Sequence, residues 1–169
     1  MSTLAIDVRP ARTGDGGAIA EVHDEAWLYA YRGIIPGSQL ERMVSRRGAK
    51  WWESAIGKGS RILVLVAGGE EIVGYASYGR NRSSALPVAG EIYELYVRPA
   101  FHGLGFGKQL FVACRREIAA NGVVGMAVWA LSDNDIACDF YRAMGGTTVA
   151  RGTENFGGVT LEKIAFTWV

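Results

Sequence analysis

The segment Glu91-Ile92-Tyr93-Glu94-Leu95-Tyr96-Val97-Arg98-Pro99-Ala100-Phe101-His102-Gly103-Leu104-Gly105-Phe106-Gly107 restricts the folds open to this chain more than any other stretch. Aromatic and branched residues dominate its first part, with Ile92, Leu95 and Val97 to bury, which predicts a strand. Pro99 stops it. From Gly107 onward apolar residues return at helical spacing, so a helix begins where the glycines stand. The first turn of a helix exposes backbone N–H groups without partners and carries partial positive charge. With glycine keeping side chains away, an anion is the natural occupant of such a turn.

Two nucleotide-binding loops fail on spacing. A Walker loop needs Lys-Ser/Thr after its last glycine, whereas Gly107 is followed by Lys108-Gln109. The dinucleotide fingerprint needs G-x-G-x-x-G, and here Lys108 stands where the third glycine belongs, which argues against a nicotinamide-dependent oxidoreductase.

At 169 residues the chain makes one domain, 1–169, large enough to bury roughly 70% of the surface its unfolded form exposes. Eighteen Lys and Arg against 17 Asp and Glu give no bulk attraction to nucleic acid or an anionic membrane. Residues 1–10 hold Asp7 and Arg9 and no apolar run, so neither a signal peptide nor a membrane anchor is expected, and the expected location is cytoplasmic. Cys114 and Cys138 lack C-x-x-C spacing and fall in helical patterns, where a thiol packs as a small hydrophobe.

Alternation predicts a strand over 5–9. A helix follows, capped within 13–15, carrying Ile19, Val22, Ala26 and Tyr29 and ending near Gly33. A second helical region starts at Pro36, breaks near Gly48 and resumes through Trp51-Trp52 to Ile56. Strands over 61–67 and 71–80 flank a Gly68-Gly69 turn, and a polar connection over 81–90 leads to the strand described above. A helix over 105–120, a strand over 123–130, a helix to Met144, and strands over 147–151 and 159–168 complete the chain. The order β-α-α-β-β-β-α-β-α-β-β is an α/β fold, a mixed and mostly antiparallel sheet flanked by helices.

The turn His102-Gly103-Leu104-Gly105-Phe106-Gly107 resembles the R/Q-x-x-G-x-G/A turn of the GNAT superfamily of N-acetyltransferases, with His102 in place of Arg or Gln. Asn134-Asp135-Ile136-Ala137-Cys138-Asp139-Phe140-Tyr141-Arg142-Ala143-Met144-Gly145-Gly146 resembles the second signature, N-x-x-A-x-x-F-Y-x-x-x-G-[FG]. The element order agrees with that fold from end to end. The resemblance implies that His102, Gly103, Leu104, Gly105, Phe106, Gly107 and Lys108 cradle the phosphates of acetyl-CoA as co-substrate. It also implies that free backbone groups near Leu95, Tyr96 and Val97 meet the acetyl oxygen and pantetheine, that Asn134 bonds the pantetheine arm, and that Tyr141 faces the sulfur. No metal is implied.

Acetyl transfer to an amine needs a neutral nucleophile, support for the oxyanion, and a proton for the departing thiolate. A lysine-like amine is deprotonated only about one part in 2500 at pH 7, a handicap of about 4.6 kcal/mol for a base to cover. Glu91 and Glu94 are the candidates, with a water chain as the third route. An odd separation points them to opposite sheet faces unless a bulge intervenes. Glu91 begins the E-I-x-x-x-x-V pattern in which several family members place the base, which ranks it first and next to the acceptor. Trp27 and Tyr31, with Trp51, Trp52, Asp24 and Glu25, belong to the helical region that walls the acceptor cleft in relatives, where aromatic faces could hold a cationic amine. Residues 154–158 form either a lid or only a hairpin loop. The expected acceptor is the primary amine of a small or amino-acid-like molecule. Protein N-terminal or lysine acetylation and a non-catalytic CoA-binding module are the alternatives, and both a monomer and a homodimer are compatible with the sequence.

Overall fold

The computed structural model describes residues 4–169. Its elements are β1 (Ile6–Pro10), α1 (Gly16–Tyr31), α2 (Gly37–Arg46), α3 (Ala49–Gly57), β2 (Ile62–Ala67), β3 (Glu71–Arg80), β4 (Gly90–Val97), α4 (Phe106–Ala120), β5 (Met126–Leu131), α5 (Asp135–Ala143), β6 (Thr147–Phe156) and β7 (Val159–Trp168). The strands form one seven-stranded sheet in the order β1-β2-β3-β4-β5-β7-β6. Every neighbouring pair is antiparallel except β4 with β5. This is the mixed α/β architecture expected from the element order.

Both faces of the sheet are covered, which is why β2 reads as an unbroken apolar run, ILVLVA, buried throughout. Leu63 and Leu65 face the α4 and α5 side with Leu110, Phe111, Cys114 and Cys138. Ile62, Val64 and Val66 face Ile19, Val22 and Trp52 from α1 and α3. The two thiols are core residues, and burial pushes that of Cys114 up to about 12.

Three boundaries differ from the sequence expectation. The Asp15 side chain does not cap the helix it precedes; its carboxylate takes the Arg9 guanidinium at 2.7 Å and the Arg12 amide at 2.8 Å. The fifth strand starts at Met126 because Gly122 and Gly125 hold φ of +74° and +76°, in the left-handed region. The stretch 154–158 is the hairpin of the two alternatives, shorter than expected: β6 continues to Phe156, and only Gly157-Gly158 turn, with φ of +61° and +92° that suit a tight hairpin. No helix among the described residues is long and apolar enough to cross a membrane.

Candidate active site

The site grows out of an irregularity in β4. This strand pairs with β3 along its length but with β5 only through Gly90, Glu91 and Ile92, so the two parallel strands part beyond Ile92. Backbone groups of residues 93–97 that point toward β5 are left without a strand partner. The cause is a bulge. Tyr78 lies opposite Ile92 and Ser77 opposite Glu94, which leaves Tyr93 as the extra residue. The bulge also overturns simple alternation: Ile92, Leu95 and Val97 all face the α4 side, so Glu91 and Glu94 share the opposite face.

One cavity, about 350 Å³, runs from the parted strand to the start of α4. Its lining includes Leu95, Tyr96, Val97, His102, Gly103, Gly105, Phe106, Gly107, Lys108, Asn134 and Tyr141. Of the residues expected to meet acetyl-CoA, Leu104 alone points away, 58% exposed. Gly103 and Gly105 hold φ of +77° and +79°, and a Cβ on either would meet nothing within 4 Å, so the approach to the α4 amides is open. His102 turns inward. Its Nε2 lies 2.9 Å from the Val97 carbonyl oxygen and its ring stands edge-on to Tyr29, which ties the turn to the end of β4. The Asn134 side-chain oxygen accepts from the Ala137 N–H at 3.2 Å as the cap of α5, a bond that does not engage its amide nitrogen. Tyr141 packs among Phe111, Phe140, Phe166 and Trp168, and burial pushes its phenol well above the usual range, so it is protonated.

A second cavity, about 470 Å³, opens on the opposite face between α1, the α2–α3 bend and the ends of β2, β3, β5, β6 and β7. Trp27, Tyr31 and Glu94 line it, and Tyr96 lines both cavities, so they meet at the bulged strand. The Tyr31 and Tyr96 hydroxyls are bonded to each other. The structure places Glu91 elsewhere. It is 2% exposed, outside the cavity wall, and its carboxylate accepts from the Arg82 backbone amide at 2.9 Å and guanidinium at 2.7 Å. Glu94 is paired with Arg47, whose guanidinium lies 4.6 Å from the Trp51 ring centre and 5.6 Å from that of Trp27. The aromatic faces expected for an acceptor amine thus hold the protein's own cation.

Arg47, Arg61, Arg82 and Lys163 in this cavity wall were not singled out from the sequence. Arg47 is 47 residues from its partner Glu94, and no local pattern links them. Among the described residues no group of three or more His, Cys, Asp or Glu is placed to hold a metal ion.

Comparison with known proteins agrees with this geometry. An uncharacterized N-acetyltransferase of Bacillus subtilis, YuaI, is 30% identical over 165 residues, covering 96% of this chain and 92% of that protein. The L-amino acid N-acyltransferase MnaT of Escherichia coli is 28% identical, covering 86% and 82%. Among crystal structures, a GCN5-related N-acetyltransferase from Rhodopseudomonas palustris superimposes with a TM-score of 0.76 at 26% identity, covering 99% of this chain and 96% of that one. The PaiA N-acetyltransferase of Thermoplasma acidophilum, in complex with coenzyme A, gives 0.72 at 16% identity, covering 94% and 98%, and shares the fold. Residues 19–145 match the acetyltransferase (GNAT) family, and this chain is a member of that family of acyltransferases.

Proposed function

We propose that the protein moves the acetyl group of acetyl-CoA to the primary amine of a small, amino-acid-like acceptor. The observation that carries this reading is the meeting of two cavities at the unpaired stretch of β4. A ligand laid from the α4 amides along residues 95–97 ends beside Tyr96, where an amine entering from the other face reaches it. In this reading the phosphates sit on the amides of 103–108, Asn134 bonds the pantetheine arm, and β4 amides support the oxyanion. Tyr141 gives its proton to the departing thiolate. Glu94 receives the amine's proton, with the rank of Glu91 lowered because Arg82 holds its carboxylate outside the cavity.

The charge of the acceptor cavity supports a carboxylate on the acceptor. Arg47, Arg61, Arg82 and Lys163 line it against Glu94 and Glu154. Arg47 and Arg82 already have carboxylate partners, whereas Arg61 and Lys163 make no ion pair among the described residues. A relative named for L-amino acid acylation is consistent with that balance. Walls built from α1, the α2–α3 bend and the β6–β7 hairpin favour a small molecule over a peptide.

The test is an acceptor screen of amino acids, their amides, simple amines and peptides, read by CoA thiol release. Turnover with amino acids and not with peptides is expected. Tight acetyl-CoA binding without turnover on any amine would leave the non-catalytic module, and preference for peptides would move the reading to protein acetylation.

A further inference from the structure

Among the described residues five buried side-chain polar atoms lack a hydrogen-bond partner, and four of them come from one group of touching rings: His23 Nε2, Trp27 Nε1, Trp52 Nε1 and the Tyr75 hydroxyl. His23 lies with its ring centre 4.7 Å from that of Trp27, 5.7 Å from that of Trp52 and 6.4 Å from that of Tyr75. Both tryptophans in turn flank Arg47, the partner of Glu94, so the cluster packs against the ion pair that holds this carboxylate in the second cavity. His23 and Tyr75 are 0% exposed and Trp52 is 1% exposed. Each unsatisfied buried polar group costs about 1–3 kcal/mol, and four in one place call for a common partner. Three are obligate or ready donors. The fourth is an acceptor, because the His23 Nδ1 proton is directed to the Asp24 carboxylate at 3.2 Å, which leaves a lone pair on Nε2. Donors and an acceptor on rings packed against one another, none with a protein partner, are the kind of groups that ordered water satisfies.

We propose, resting on the acetyltransferase reading above, that this cluster holds water between Glu94 and His23 and that His23 is a proton-holding residue for the reaction. The acceptor ammonium gives one proton to Glu94; Glu94 passes it to the water, which hands a proton to His23 Nε2. The imidazolium then rests on Asp24, whose side chain is 47% exposed to solvent. The acceptor itself covers the cavity side of Glu94 during the reaction, so a store behind the carboxylate keeps the base free of its proton until the product leaves. The proton then returns along the same water and is lost to solvent, and the Nδ1–H to Asp24 is never broken.

The charged and titratable groups facing His23 are Asp24 on its own helix, Arg47 from the α2–α3 bend, Glu94 on β4 and Tyr75 on β3. Burial draws the imidazole below its usual value, against the hydrogen bond it donates to Asp24 and the charge of Glu94, which raise it. The ring is therefore neutral at pH 7 and keeps its Nε2 lone pair.

His23→Gln keeps an acceptor atom and removes the titration. The expected result is a fall in kcat at pH 7 of about tenfold, below the roughly hundredfold of losing the base itself, with KM for acetyl-CoA unchanged. The defect should close as rising pH supplies free amine, and it should be absent for an acceptor whose amine is already neutral at pH 7. Equal loss at every pH and with every acceptor, or no loss, overturns the proposal. Tyr75→Phe removes one water partner and should produce a smaller defect with the same recovery, which keeps the idea testable if His23→Gln folds poorly. Nitrogen NMR on the wild-type protein, which has only two histidines, should find His23 neutral, protonated on Nδ1, at pH 7. An Nε2-protonated or charged ring there overturns the proposal regardless of any activity. Failure of the acceptor screen, with the NMR result as expected, would instead strike the acetyltransferase reading.

Discussion

Exchanging Glu94 for Gln separates the two carboxylates that the bulge brings to one face. Gln keeps an oxygen for the Arg47 guanidinium, and Arg47 remains packed 4.6 Å from the Trp51 ring centre, so the cavity wall should hold its shape. What is lost is the proposed base. For an amine of lysine-like pKa the neutral fraction at pH 7 imposes about 4.6 kcal/mol, and removing a general base costs about 10²- to 10⁴-fold. Glu94→Gln should therefore lower kcat at pH 7 by at least about 100-fold, equal to about 2.7 kcal/mol. The deficit should narrow about tenfold per pH unit as free amine accumulates. Glu91→Gln should behave differently. That carboxylate is 2% exposed and accepts bonds from the Arg82 amide and guanidinium, so its loss weakens charge-assisted bonds worth about 1.5–3 kcal/mol to stability. Its kcat should remain within a few-fold of wild type while its Tm falls. Thiol release measured from pH 6 to 10, beside thermal melts, reads both. If Glu94→Gln kept full kcat at pH 7 while Glu91→Gln lost it with recovery at high pH, the argument from cavity facing would fail.

Three further outcomes are expected. Tyr141→Phe retains the ring contacts with Phe140, Phe166 and Trp168 and removes a phenol that burial keeps protonated, so single-turnover kcat should drop about 100-fold with KM for acetyl-CoA nearly unchanged. Full single-turnover activity would assign that proton to water. Gly105→Glu forces a side chain onto φ of +79° and sets a negative charge at the α4 amino end, so calorimetry should find acetyl-CoA binding abolished; binding as tight as wild type would displace the phosphate site. Asp15 is held below the usual carboxylate range, first by its hydrogen bond to Arg9 and also by the Arg12 amide. A depressed folded pKa gives stability that is present above the unfolded value and is lost as pH falls through the folded one. Asp15→Asn should thus lower Tm at pH 7 and lose that difference in acid, and a deficit independent of pH would contradict the ion-pair account.

Element order was legible because local rules fix it. The Gly68-Gly69 turn joins β2 to β3, Gly48 separates α2 from α3, and Asn134 caps α5, each through chemistry carried within a few residues. The cavity at the start of α4 was legible for the same reason, since strand, glycine turn and helix are contiguous. The second cavity was not. Arg47 meets Glu94 across 47 residues, Arg98 reaches Glu21 across 77, and Lys163 stacks on Trp129 from a different strand. Such pairs are set by how helices lie on the sheet, and no period or motif encodes them. Trp51 and Trp52 show the limit: one is 44% exposed and the other 1%, a split that adjacency on a helix permits but does not assign.

The facing of Glu94 depends on the bulge at Tyr93, and nothing in Glu91-Ile92-Tyr93-Glu94 announces one, since no glycine or proline interrupts those residues. The trace lies on the partner strand. Gly79 interrupts β3, and a Cβ built there would stand 2.6 Å from the Tyr93 hydroxyl and 3.2 Å from its ring. The missing side chain is the space the extra residue needs. Tyr93 then donates its hydroxyl to the Arg80 carbonyl at 2.6 Å and lies under the Arg82 guanidinium at 4.1 Å, the same group that holds Glu91. A lone glycine within a strand pattern signals a bulge or a close backbone approach. Here it does more, because the bulge it permits parts β4 from β5, turns Glu94 to the second cavity, and sets Arg82 where it engages Glu91.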